Sequence, residues 1–125
     1  MPSDQDDSAQ LMNDLDPRLL ELLRTGINTF IKWDVMRFFH ANPHTAEAAE
    51  TLAGQLGRDV RVVEPELREL AQAGLLVTEE LMADVPVYAL TTDGHTVALL
   101  DSFMGACADR QFRLKATYHI IRSLR

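Results

Sequence analysis

The chain has 125 residues, 46% of them hydrophobic, which suits a single domain able to bury a core of its own. Its net charge is -7, and a lone Cys107 excludes an internal disulfide and fits a reducing cytosol. No apolar run approaches the roughly 18 residues of a membrane span. The acidic opening MPSDQDDSAQ is not a secretory signal peptide, so the expected location is cytoplasmic.

Residues 1–15 have few apolar anchors and are expected to form a disordered acidic tail. Asp16-Pro17 is a helix start, an N-cap followed by proline at the first helical position. The following RLLELLR sets Leu19, Leu20, Leu22 and Leu23 so densely that both faces need cover, from the chain's own core or a second subunit. Gly26 breaks the chain before a longer helix, INTFIKWDVMRFFHAN. Its apolar stripe is Ile27, Phe30, Ile31, Val35, Phe38 and Phe39, and Asn42-Pro43 ends it. Trp33, the only tryptophan, is assigned to core packing or a subunit contact, with ligand stacking as the alternative.

From Thr45 to Leu76 the chain reads as two helices around a tight turn, with Thr45 capping the first. Ala49, Leu52, Ala53 and Leu56 keep helical spacing in one half, and Val60, Val63, Leu67, Leu70 and Ala71 in the other. Gly57 stops the first helix, Asp59 caps the second, and Gly74 stops that one. Pro65 leaves two starts open for the second helix, at Val60 or at Glu64-Pro65. Two short helices around such a turn form a helix-turn-helix, whose second helix usually enters a DNA major groove. The strand-like LLVTEE, a turn near Asp84 and VYALT then make a hairpin, with Pro86 confined to an edge or a first strand position. The fold expected is therefore mainly helical with a small β-hairpin, a winged helix-turn-helix over residues 16–94.

Thr92-Asp93-Gly94 opens the final segment, residues 95–125, expected to be a long dimerisation helix in the same globular unit. Val97, Leu100, Met104 and Cys107, then Gln111, Leu114, Tyr118 and Ile121, alternate by three and four. That is the a/d seam of a helix that pairs with another helix. Homodimerisation along this seam, with Leu20 and Leu23 contributing from the first helix, is the expected assembly. A kink near Asp109-Arg110 is the alternative to one continuous helix.

The run LGRDVRVVEPELRELAQAGLL resembles the ArsR-type and MarR-type winged-helix transcriptional regulators. Leu56-Gly57, Asp59, Leu67, Leu70 and Ala73-Gly74-Leu75-Leu76 match their pattern without gap. Tyr88-Ala89-Leu90-Thr91-Thr92-Asp93-Gly94 looks like the exit from their wing. The resemblance spans about residues 27–100 and implies a homodimeric DNA-binding regulator of transcription. The candidate DNA contacts are Arg58, Arg61, Val62 and Arg68.

Charge supports a rival, a winged-helix protein-interaction module without DNA binding. Glu64, Glu66 and Glu69 oppose phosphate approach, and Val77–Thr92 holds no Lys or Arg. A protein partner would meet either this acidic helix or the basic end that carries Arg110, Arg113, Lys115, Arg122 and Arg125. Three readings fit that basic end: complement to a helix C-terminus, contact with the acidic tail, or an anionic-partner surface. No cofactor or metal is expected. Asp93 and His95 do not share a helical face, and Cys107 and His119 would stand about 18 Å apart on one helix. No nucleophile–base pair, phosphate loop or paired-cysteine motif points to catalysis.

Overall fold

Four of the six helices among the described residues start on an aspartate. The computed structural model describes residues 15–82 and 84–124. Helix α1 (Pro17–Thr25) is capped by Asp16, which accepts from the Arg18 N–H at 2.9 Å. Helix α2 (Phe30–Ala41) is capped by Thr29, which accepts from the Lys32 N–H. Strand β1 (Ala46–Ala48) leads into α3 (Ala49–Leu56), then α4 (Val60–Gln72), capped by Asp59. Strands β2 (Leu76–Met82) and β3 (Val85–Leu90) follow, then α5 (Gly94–Ala106) on Asp93 and α6 (Arg110–Ser123) on Asp109. A side-chain oxygen at each of these positions satisfies a backbone donor that the first helical turn leaves without a partner.

The two central glycines end their helices in the same way. Gly57 (φ 68°) and Gly74 (φ 82°) take the left-handed conformation that costs glycine nothing. Arg58 N–H then returns to the Ala53 carbonyl at 2.9 Å, and Leu75 N–H to the Leu70 carbonyl at 3.0 Å, the bonds of a Schellman stop. Gly26 matters for another reason. A Cβ there would lie 2.9 Å from the Leu75 side chain, so the α1–α2 corner can press against the end of α4 only without one.

One sequence expectation changes in this region, and one open alternative closes. Thr45 does not cap α3, because residues 46–48 are extended and pair antiparallel with β3, Ala46 opposite Ala89 and Ala48 opposite Val87. This third strand gives the sheet order β1-β3-β2. Helix α4 starts at Val60 and keeps Pro65 inside it. The ring deprives the Arg61 carbonyl of its helical partner, a loss that water can make good because Arg61 is exposed.

The core gathers the inward faces of all six helices against one face of the sheet. Phe103, fully buried, stands edge-on to Trp33 of α2 at 5.9 Å and to Phe112 of α6 at 5.5 Å, and so joins three helices. Leu23 and Leu100, expected in a subunit seam, are 0% and 1% exposed and belong to this core. The apolar stripe leading into and along α2 stands largely where it was expected, with Ile31 and Phe38 packed against the core and Ile27 buried. Trp33, Val35, Met36 and Phe39 are buried, whereas Phe30 is 38% exposed. The final segment is two helices, not one, with Cys107–Asp109 between them, so the seam does not run unbroken from Val97 to Ile121. The expected disorder of residues 1–15 lies outside the described residues except at Leu15, which is buried.

The aspartate caps make the fold acid-sensitive. Hydrogen bonds from Thr96, side chain first and then backbone, hold the Asp93 carboxyl below its ordinary pKa, and Arg61 does the same to Asp59. A depressed folded pKa gives stability that is present above the ordinary carboxylate range and lost as pH falls through the folded value. Asp93→Asn keeps a capping oxygen but cannot titrate. We expect thermal unfolding to give a similar Tm at neutral pH and a shallower loss of Tm below about pH 4.

Candidate nucleic-acid interface

The surface a helix offers is fixed by the face it buries. Helix α4 buries Val63, Leu67 and Leu70. The opposite face is therefore centred on Arg61, Pro65, Arg68 and Gln72, one row at helical spacing. Arg61, Arg68 and Gln72 are exposed and Pro65 half-buried. Val62, 49% exposed, and Glu64 flank the row on its two sides. Gln72 did not emerge from the sequence as a site residue. Its spacing of eleven from Arg61 was the available signal.

What orients this row is a buried ammonium. Lys32 of α2 is 3% exposed, and its Nζ donates to Asn28 Oδ1 at 2.7 Å and to Glu69 Oε1, with Glu66 Oε2 at 3.6 Å. Thr29 Oγ1 donates to the other Glu66 oxygen at 2.8 Å. A buried charge is tolerable only when it is paired, and Lys32 has two hydrogen-bonded acceptors, Asn28 and Glu69, with the Glu66 carboxylate at ion-pair distance. Lys32 stands in line with the buried Val35, Met36 and Phe39, at spacings of three, four and seven. That register marked it as inward-facing.

The clasp revises the electrostatics of the helix. Glu66 does not face a groove. Its side chain is 16% exposed and turned onto α2. Glu69 is 58% exposed but bonded to Lys32. Val60 packs against the core, as its place in the apolar spacing implies. Glu64 is the acid left standing near the outward row, where it and Arg68 act in opposite directions on the Tyr88 hydroxyl, whose pKa burial raises.

The candidate arginines differ in availability. Arg61 is 87% exposed, and its guanidinium folds back on Asp59 at 2.7 Å. Arg58 bonds Asp34 of α2, which ties the turn to the neighbouring helix. An exposed pair of this kind contributes little, about 0–1 kcal/mol, and can be exchanged for a phosphate. The hairpin reaches its tip at Asp84, held at φ 66°, and pairs Leu76 with Leu90 through Glu79 with Val87 before an irregularity between Glu80 and Met82. Its exposed Glu79 and Asp84 give the wing acidic character. Among the described residues no His, Cys, Asp and Glu gather in a metal-holding group of three.

Two helices around the Gly57 turn are followed by a hairpin and backed by a third strand. The unit is a winged helix-turn-helix. No family model matches the chain, and no curated protein does. A solved structure, described as a possible transcriptional regulator from Methanosarcina mazei Go1, is similar to the winged helix with a TM-score of 0.48 and 18% identity, over 85% of this chain and 81% of that one.

Removing the ammonium should strand a buried carboxylate. Lys32→Met is expected to lower unfolding stability by about 2–3 kcal/mol in a denaturant titration, discounted from a fully buried pair because Glu69 reaches water. Adding Glu66→Leu should recover most of that loss, since no buried charge is then left alone. A Lys32→Met protein as stable as the parent would show that the clasp contributes nothing to folding.

Proposed function

We propose that the chain is a DNA-binding transcriptional regulator that acts as a homodimer. The observation that carries the DNA reading is the outward row of α4. Arg61 and Arg68 supply phosphate or guanine contacts, and Gln72 has the amide that pairs with adenine. Arg58, at the turn, would exchange Asp34 for the DNA backbone, and Val62 would offer an apolar contact to a thymine methyl. The Lys32 clasp supports this reading, because it turns Glu66 onto α2 and pairs the exposed Glu69 with a cation, which lessens their repulsion of phosphate.

The dimer reading rests on α6. Leu114 and Ile121 are each 52% exposed and Leu124 is 64%, alongside exposed Gln111 and half-buried Tyr118. Gln111, Leu114, Tyr118 and Ile121 line the face opposite the buried Phe112, Ala116 and Ile120. A second copy related by a two-fold axis would cover the face with its own equivalent. Val97 and Met104 lie on α5, Cys107 in the break after it, and Leu20 on α1, so they would border the contact at most.

The acidic wing favours one other reading, a winged helix that docks a basic protein segment instead of DNA. A titration against mixed-sequence duplex separates them. The regulator reading expects binding at low salt that weakens steeply as salt rises, with a salt slope about one unit smaller in Arg61→Ala. Arg68→Ala should cost about 1–3 kcal/mol if it reads a base. No binding even at the lowest salt would leave the protein-docking reading in its place. For the dimer, light scattering at micromolar concentration should give twice the 14.0 kDa chain mass, falling to the single mass in Ile121→Glu. A monomeric parent chain would refute it.

A further inference from the structure

Helices α1 and α6 pack against each other, and an open groove of about 350 Å³ runs between Leu20 and Arg24 of the first and His119 and Arg122 of the second. His119 stands three positions after the buried Ala116, at the edge of the inward face of α6. Its Nε2 is out of contact with solvent and has no hydrogen-bond partner among the described residues. A covered polar atom left without a partner costs stability, so it calls for an explanation. Burial first, and then the charges of Arg24 and Arg122, hold His119 below its ordinary pKa, so the ring is uncharged at neutral pH.

Both arginines sit in the last turn of their helix, where the macrodipole favours a cation. That accounts for their positions but not for a ring nitrogen stranded beside them. Their donors are also available. Arg24 reaches Glu21 at 3.6 Å with the two side chains 63% and 61% exposed, a loose contact that a stronger acceptor displaces. Arg122 lies 5.9 Å from the centre of the Tyr118 ring, which positions the guanidinium without occupying its N–H groups. Among the described residues no carboxylate stands within ion-pair distance of Arg122. Ser123 gives its hydroxyl proton to the His119 carbonyl at 2.9 Å and so adds no donor.

Two guanidinium forks from different helices and an imidazole N–H suit a tetrahedral dianion better than a planar carboxylate. We infer that the α1–α6 groove binds a phosphate group, free or as a monoester, with oxygens on Arg24, Arg122 and the Nε2–H of His119. Nε2 is covered, so the ring must turn toward the ion as it binds. The charged groups acting on His119 are Arg24 of α1 and Arg122 of α6, with Glu21 paired to Arg24. A dianion opposes both guanidinium charges at the ring, so binding is coupled to uptake of a proton by His119.

The ring protons of His119, assigned by their loss in His119→Gln, report the groove by NMR in the full chain. Inorganic phosphate, glycerol phosphate and acetate are the probes, at an ionic strength held constant with sodium chloride. The expected result is a saturable shift with phosphate or its ester, at least about tenfold weaker with acetate. The tighter of the first two tells a free ion from an ester. Sulfate, whose charge is constant where histidine titrates, should raise the His119 pKa and bind more tightly as pH falls through it. Arg24→Gln/Arg122→Gln should weaken phosphate about tenfold with far-UV circular dichroism unchanged. Arg110→Gln, at the other end of α6, should bind as the parent does. No saturation with phosphate or its ester, equal affinity for acetate, or an equal loss in Arg110→Gln would overturn the inference. So would a double variant that loses duplex binding but keeps phosphate binding, which would assign these arginines to nucleic acid.

Discussion

The Lys32 ammonium is the interaction on which the functional surface depends. It sits where α2 crosses α4, out of water, and draws Glu66 and Glu69 onto itself. Helix α4 is thereby fixed in rotation as well as position. With Val63, Leu67 and Leu70 inward and Glu66 turned to one side, Arg61, Pro65, Arg68 and Gln72 must point away from the core. A hydrophobic substitute would pack the same helices but would not set their rotation by directional bonds, and it would leave the Glu66 carboxylate with the Thr29 hydroxyl as its partner and no counter-charge. The clasp also pairs two acids of α4 with a cation and turns Glu66 away from the outward row.

The second organising contact is aromatic. Phe103 links Trp33 and Phe112, and through them the helix-turn-helix side of the domain to the C-terminal helices. Because α6 restarts on Asp109 after a three-residue break, it can bury Phe112, Ala116 and Ile120 while leaving Leu114 and Ile121 outside. One unbroken helix could not have followed the core in this way. The break also brings Arg110 and Arg113 beside Arg37, which makes the cleft between α2 and α6.

Several features were legible because they depend on neighbours in the chain. Asp16-Pro17, Gly57, Asp59, Gly74 and Asp93 each act within a few residues of themselves, and each does in the structure what its type and position imply. The apolar spacings of Thr45–Leu76 likewise located the buried faces of α3 and α4. The candidate site was read less completely. Arg61 and Arg68, candidates by type and place, are exposed on the outward row, but Glu66 was counted with the exposed acids and Gln72, on the same row, was passed over. Which face of a charged helix is outward depends on what it packs against, and the partner Lys32 is 34 positions earlier than Glu66.

The sequence by itself determined the caps, the glycine stops and the helix-turn-helix with its hairpin, because local hydrogen bonding and side-chain period act over one or two turns. Tertiary structure alone decided three things. Residues 46–48 became a strand because β3 offered an edge to pair with. Leu23 and Leu100 went to the core and not to a subunit seam, because α1 and α5 meet inside the domain. The charges of α4 were divided between an internal clasp and an outward row, because a buried ammonium needs carboxylates near it and takes the ones within reach.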